Sequence, residues 1–210
     1  MLVVGRLSKG DKEIKTIVVT STGAGEGKST TCSNLAIALA QSGHKILIID
    51  CDLRRPVQHK LFDLSNEKGL TNFLIANCTL SETVKQTNIE GLQVITAGVI
   101  PPNPSELLNC KRFEQYIEKL KEFYDYIIID TPPAGIVTDA QNLAGKADGT
   151  VLVVDSRHTD KKEAAAAKAL LDKVGAHILG VVLNRAVEDS KAYGRYYKKY
   201  YKHEYYTQGL

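Results

Sequence analysis

The sequence predicts a doubly wound α/β fold, a mostly parallel sheet with helices on both faces, and two observations carry that reading. Six short runs rich in β-branched residues alternate with longer amphipathic segments, the order of strand and helix that builds parallel sheets. Each run is also continuously apolar rather than alternating in and out, as in strands buried on both faces.

Taken in order, the first strand is expected over 16–20, followed by a glycine-rich loop and a helix over 28–42. In that helix Leu35, Ala36, Leu39 and Ala40 recur at helical spacing, and Gly43 stops it. Further strands are expected over 45–49 and 92–96. A helix over 105–121 is announced by Asn103-Pro-Ser-Glu106, an N-cap, an N1 proline and an N3 glutamate. Strands over 126–129, 150–154 and 178–183 follow, with an alanine-rich helix over 160–174 carrying Lys and Asp on its outer face. At 210 residues the chain is about 1.4 times a one-domain length of roughly 150. One domain over 1–190 is expected, then a tyrosine-rich tail over 191–210.

Charge and cysteines exclude several classes of function. Lys and Arg number 27 against 24 Asp and Glu, a net charge of +3. Residues 188–210 supply most of that excess, so the body has no basic surplus of the kind that marks nucleic-acid binding. Cys32, Cys51, Cys78 and Cys110 form no Cys-x-x-Cys pair and have no interleaved histidine. Free thiols in a reducing compartment are expected, rather than zinc or a redox dithiol. No apolar run approaches the ~18 residues of a membrane span. The start, Met1-Leu-Val-Val-Gly-Arg, lacks the apolar core of a signal peptide. A cytoplasmic protein is expected, brought to any membrane by something else.

The chemistry begins after the first strand, at Ser21-Thr-Gly-Ala-Gly-Glu-Gly-Lys-Ser-Thr30. Strand, glycine-rich turn and helix start is the context of a phosphate-binding loop. Gly23, Gly25 and Gly27 let backbone N–H groups converge on phosphate oxygens, and the helix end and Lys28 add positive charge. Ser29 offers a hydroxyl to Mg²⁺. Thr22 stands where the strict template has glycine. Two strand ends then bring carboxylates. Side chains alternate along an extended segment, so Ile48-Ile-Asp-Cys-Asp-Leu-Arg-Arg-Pro56 is expected to point Asp50 and Asp52 to the same side. Ile129-Asp-Thr-Pro-Pro133 places Asp130 at another carboxyl end, where ligands of open α/β sheets sit. Magnesium takes one or two carboxylates, which leaves one aspartate as a candidate proton acceptor.

These three motifs resemble the Walker A, A′ and B motifs of bacterial tyrosine kinases, the cytoplasmic autokinases of capsule and exopolysaccharide synthesis, within the P-loop NTPases. Gly98-Val-Ile-Pro-Pro-Asn-Pro-Ser-Glu-Leu-Leu108 and Gly180-Val-Val-Leu-Asn184 look like family segments too, so the resemblance spans roughly 16–210. It implies ATP and Mg²⁺ as cofactors, with Gly23, Ala24, Gly25, Glu26, Gly27, Lys28, Ser29 and Thr30 on the nucleotide. It implies Lys28 on the phosphates, Ser29, Asp52 and Asp130 on Mg²⁺, and Asp50 as acceptor of the tyrosine proton. The family carries a helix bearing Glu-x-x-Arg-x-x-Arg before the first strand, used in ring assembly. Only about 15 residues precede that strand here and they lack the motif, so either the chain is truncated or its assembly differs.

Asn184 and Arg185 follow the last strand where related proteins read the base. A guanine reader would have Asn-Lys-x-Asp; here the run is Asn184-Arg-Ala-Val187, which favours ATP over GTP. Asn184 as a plain strand-end cap is the other reading. Partitioning and cell-division ATPases carry a second lysine early in the loop, and Gly23 occupies that position. Seven of the ten tyrosines, Tyr193, Tyr196, Tyr197, Tyr200, Tyr201, Tyr205 and Tyr206, fall in the last 18 residues among Lys191, Arg195, Lys198, Lys199 and Lys202. An aromatic helix face and a base-stacking surface are the alternatives to a phosphorylation cluster. A domain would have to bury seven rings beside five cations, so an exposed substrate cluster accounts for the composition better. The expected function is ATP-dependent tyrosine autophosphorylation in trans between subunits, and a non-kinase ATPase switch is the runner-up. The resemblance further implies a transmembrane activator, a cognate tyrosine phosphatase, and a place at the inner face of the membrane through that activator. No nucleic-acid partner is expected.

Overall fold

The computed structural model describes residues 2–5 and 13–186. The tail over 191–210, with its seven tyrosines, lies outside the described residues. Among the described residues, eight strands form one sheet: β1 Leu2–Gly5, β2 Thr16–Ser21, β3 Ile46–Asp50, β4 Val84–Gln86, β5 Leu92–Ile95, β6 Tyr126–Asp130, β7 Gly149–Asp155 and β8 Ile178–Asn184. Their order across the sheet is β1-β8-β7-β2-β6-β3-β5-β4. The six strands from β8 to β5 run parallel. Short antiparallel strands close each edge, β1 on β8 and β4 on β5. All six expected strands are present. The two edge strands were not anticipated, because runs of four and three residues are specified by the partner they pair with more than by their own pattern.

The helices are α1 Lys28–Gln41, α2 Gln58–Leu61, α3 Leu70–Leu74, α4 Leu80–Thr83, α5 Pro104–Leu108, α6 Lys111–Leu120, α7 Thr138–Lys146 and α8 Lys161–Lys173. Two cores result, one on each face of the sheet. Ile17, Val19 and Ile128 pack with Cys32, Ala36 and Ala40 of α1 on one side. Val18, Ile127 and Ile129 pack with Phe113 and Tyr116 of α6, Leu143 of α7 and Leu171 of α8 on the other. Neighbouring residues of one strand therefore enter opposite cores, which is why the runs read as continuously apolar.

The expected helix over 105–121 is two helices instead. On one continuous helix Leu108 and Phe113, both buried, would lie about 140° apart, so a single rod could not present both to the core. The break comes at Asn109, whose side-chain amide donates to the Ser105 carbonyl at 2.9 Å, and at Cys110, which is extended and starts α6. Such side-chain competition for helix carbonyls is characteristic of Asn. The last strand also departs from expectation, since Val181 and Leu183 of β8 are exposed while Val182 between them is buried, so the run is not buried on both faces.

Strand order reverses around β2. From β2 the chain passes to β3 and β5 on one side, then returns through β6 and crosses to β7 and β8 on the other. The carboxyl ends of β2, β3 and β6 meet at this switch point, where open α/β sheets bind ligands.

Candidate functional site

The loop between β2 and α1 is shaped by two glycines and one buried glutamate. Gly25 and Gly27 have left-handed φ of 78° and 90°, a conformation that L side chains resist. Gly27 ends the loop as the N-cap of α1. A Cβ there would lie 2.2 Å from Asn184 Nδ2, so the last strand presses directly on the loop. Asn184 Nδ2 donates to the Glu26 carbonyl at 2.8 Å. The buried Glu26 carboxylate accepts from Gly23 N at 2.9 Å and from the Thr159 hydroxyl. Gly23, Ala24 and Gly25 remain accessible, and Thr30 is exposed on the first turn of α1.

Lys28 turns inward to a group of acids. Its Nζ donates to Asp52 Oδ2 at 2.8 Å and Ser29 Oγ at 3.0 Å, and stands 3.7 Å from Asp130 Oδ1. Asp52 lies beyond the end of β3, in a turn closed by Arg55 N donating to its Oδ1 at 3.0 Å. The strand alternation expected to set Asp50 and Asp52 side by side thus ends at Asp50. Asp50 instead accepts three backbone N–H groups, from Asp52 at 3.2 Å, Val57 at 3.1 Å and Gln58 at 3.0 Å. Pro56 ends the turn and α2 begins at once, so the chain after the motif folds back to cap its own first carboxylate. Asp50 and Asp130 are register partners on adjacent parallel strands, and both are fully buried.

Three carboxylates therefore lie around one ammonium, and burial acts on Lys28, Asp50 and Asp130. For Lys28 desolvation opposes the charge, but Asp130 and Asp52 outweigh it and hold the ammonium above its ordinary pKa. Burial raises the Asp130 carboxyl against the opposing pull of Lys28 and Gln58. Burial and then the neighbouring Asp130 charge raise that of Asp50 well above the ordinary range, beyond what its backbone hydrogen bonds can offset. Such a site is short of positive charge. Asp130 Oδ1 is buried without a hydrogen-bond partner, close to the Ser29 hydroxyl, and these hard oxygens suit Mg²⁺. Among the described residues no three His, Cys, Asp or Glu side chains converge to hold a metal alone.

Several residues of this region gave no signal in the sequence. Gln58, fully buried, bonds Ser29, Ser33 and Asp130 at once. Arg54 Nε donates to the buried Asp139 on α7 at 2.8 Å, and Ser105 of α5 donates to the same carboxylate. Beside the loop, Asp155 at the end of β7 accepts from Arg185 at 2.5 Å and from Arg157 N at 3.0 Å, with His158 Nδ1 3.2 Å away. The Arg157 N–H, then Arg185 and His158, hold its carboxyl down to about 2. Arg185 has a left-handed φ of 54°. Arg157 and His158 follow Asp155 directly, but the other partners are far apart in sequence, and of those contacts only the Asp50 cap could have been read from Pro56 and the helix start behind it. All four cysteines are free thiols, and Cys32 and Cys51 are shifted upward by burial. No helix among the described residues is long and apolar enough to cross a membrane.

Comparison with known proteins places this geometry. A family model described as an AAA domain matches residues 14–175. Tyrosine-protein kinase YwqD of Bacillus subtilis is 43% identical over 187 residues, 89% of this chain and 79% of that protein. The solved chimerical protein CapA2B2 superposes with a TM-score of 0.83 at 44% identity, covering 85% of this chain and 79% of that one. The septum site-determining protein MinD of Pyrococcus horikoshii, solved with Mg-ADP, has a TM-score of 0.70 at 25% identity over 82% of this chain and 70% of its own. The fold is that of nucleotide-binding P-loop proteins.

Proposed function

The chain belongs to the AAA-domain family and, within it, to the bacterial tyrosine-protein kinases, and from that premise we propose that it transfers the γ-phosphoryl group of ATP to tyrosine, first to its own C-terminal cluster and in trans between subunits. The observation that carries this reading is the convergence of Lys28, Ser29, Asp52 and Asp130 behind the glycine loop, with Asp50 one strand away.

ATP is the substrate, and its phosphates compete with Asp52 for the Lys28 ammonium. The loop and the N-terminus of α1 offer N–H groups to the same phosphates. Ser29, Asp52 and Asp130 hold Mg²⁺, whose charge, when bound, offsets that of the phosphate oxygens. Asp50 accepts the tyrosine proton. Its Oδ1 carries one hydrogen bond and keeps a lone pair, and its upward shift moves it toward the range where a proton acceptor works at neutral pH. Asn184 and Arg185 stand on the base side of the loop. Tyr193, Tyr196, Tyr197, Tyr200, Tyr201, Tyr205 and Tyr206 are the acceptors. A membrane-embedded activator completes the nucleotide site and anchors the kinase at the inner face of the membrane, and a cognate phosphatase resets the tail. The system regulates capsule or exopolysaccharide synthesis. Family membership supports these partners.

The experiment is incubation with γ-labelled ATP and Mg²⁺. Label is expected on tyrosine, and should be lost when the seven tail tyrosines are changed to Phe. Mixing that seven-Phe variant with Lys28→Met should place label on the tail of the latter, which tests transfer in trans. Release of free phosphate without protein label would identify instead a nucleotide switch, the reading that the likeness to MinD favours. Full-speed transfer by the isolated chain would remove the need for an activator.

A further inference from the structure

We propose that Gln58 is a positioning residue for the metal ligand Asp130, deciding which carboxylate oxygen is offered to Mg²⁺. The inference rests on the reading of Asp130 as a magnesium ligand and goes beyond it, because no motif assigns Gln58 a role.

Gln58 opens α2 and is completely buried. Burying a primary amide is costly unless its donors and acceptor are met. Here Oε1 accepts from Ser33 Oγ at 2.8 Å, and Nε2 donates to Asp130 Oδ2 at 2.8 Å and to the Ser29 carbonyl at 3.2 Å. With Asp130 as a carboxylate, both partners on the Nε2 side are acceptors, which favours this amide orientation, while the one Ser33 hydroxyl hydrogen is shared between Oε1 and the Ser29 carbonyl at 2.9 Å. The amide thereby engages Oδ2 of Asp130 and leaves Oδ1 as the buried oxygen without a partner. That oxygen faces the Lys28 ammonium, with Nζ at 3.7 Å, and the Ser29 hydroxyl acts on the same carboxylate. The main-chain N–H of Gln58 also donates to Asp50. One residue thus ties the first turn of α1, the end of β6 and the carboxylate at the end of β3. A side chain that only filled space would be replaced by one of equal length; a positioning amide would not.

The test measures ADP affinity of the full chain by calorimetry, with Mg²⁺ and again with EDTA, so that the enhancement by metal is read apart from nucleotide binding. Gln58→Met keeps length and volume but removes both donors. It should cut the enhancement by about 10-fold or more, the scale of a hydrogen bond to a charged group, while affinity in EDTA stays within about 2-fold. Ser33→Ala, a milder change that releases Oε1, should cut it by about 2- to 5-fold and serves if Gln58→Met does not fold. Equal losses with and without metal would make Gln58 a packing residue and overturn the proposal, as would unchanged enhancement in Ser33→Ala. Asp130→Asn separates the two levels of the argument. If it retains the full enhancement, Asp130 is not a magnesium ligand and the underlying reading fails. If it abolishes the enhancement while Gln58→Met leaves it whole, only the Gln58 proposal fails.

Discussion

Asp130 and Asp155 end the two strands that flank β2, and both are almost completely buried, yet their surroundings oppose each other. Asp155 has an arginine, a backbone N–H and a histidine, and its carboxyl is held down to about 2. Asp130 shares one lysine with Asp52, sits beside Asp50, keeps one oxygen unpartnered, and is shifted upward. Two carboxylates with almost no solvent contact of their own therefore shift in opposite directions: Asp155 lies among half-exposed and exposed cationic partners near the surface, whereas Asp130 is deep and short of countercharge. Around Asp155 the charges close on themselves, and the group works as a clasp between the end of β7 and Arg185 just past β8. Around Asp130 they do not close, and the deficit is what a magnesium–nucleotide complex would fill.

The largest effect should come from the open side. Lys28→Met should reduce tyrosine phosphorylation below detection while circular dichroism shows the fold retained, because the raised carboxyls of Asp50 and Asp130 can take protons once the ammonium is gone. Measurable transfer by this variant would sink the assignment of the phosphate site.

Asp50→Asn should come next, keeping nucleotide binding and slowing transfer by a general-base factor of about 10²–10⁴ in single-turnover measurements. Three N–H groups converge on Asp50, so the competing role is an anchor for α2. An anchor would show as a lower Tm and weaker nucleotide binding with normal transfer from the bound state.

The closed side should respond in stability and in its dependence on pH. The Asp155 carboxyl lies below its ordinary value of 3.8, at about 2, so its contribution is present above the ordinary value and lost as pH falls toward 2. Asp155→Asn should lower Tm by a few degrees at pH 7, and the gap to wild type should close between pH 4 and pH 2. A gap independent of pH would mean that packing rather than charge holds the clasp. Asp50 and Asp130 carry the opposite sign, since raised carboxyls make the nucleotide-free protein less stable as pH climbs through them.

Asn184→Ala should have the smallest effect. It removes one neutral hydrogen bond to the loop, worth about 1 kcal/mol, and should weaken nucleotide binding about 5-fold with no change in the preference between ATP and GTP. A change in that preference would make Asn184 a reader of the base instead of a support for the loop.

The central strands and the loop were legible because their signals are local. Glycine at 25 and 27, Lys28 and Ser29 occupy one loop and its helix start, and continuously apolar runs announce strands covered on both faces. The break at Asn109 was also in the sequence, in the spacing of five between Leu108 and Phe113, but helix-start signals at 103–106 hid it. The ties on the loop were not legible: Glu26 meets Thr159 across 133 residues and Asn184 across 158, and no local pattern encodes such a pairing.

The sequence by itself determined the layered α/β architecture, the phosphate loop and the three aspartates at strand ends, because hydrophobic period, glycine and strand termini act over a few residues. Only the tertiary structure decided their electrical state. Bringing β3 and β6 side by side buried Asp50 against Asp130, the turn after β3 carried Asp52 to Lys28, and α2 brought Gln58 between them. Whether a buried carboxylate is a clasp or a ligand depends on which charges and donors reach it through a low-dielectric interior, and those come from segments that meet only when the chain is folded.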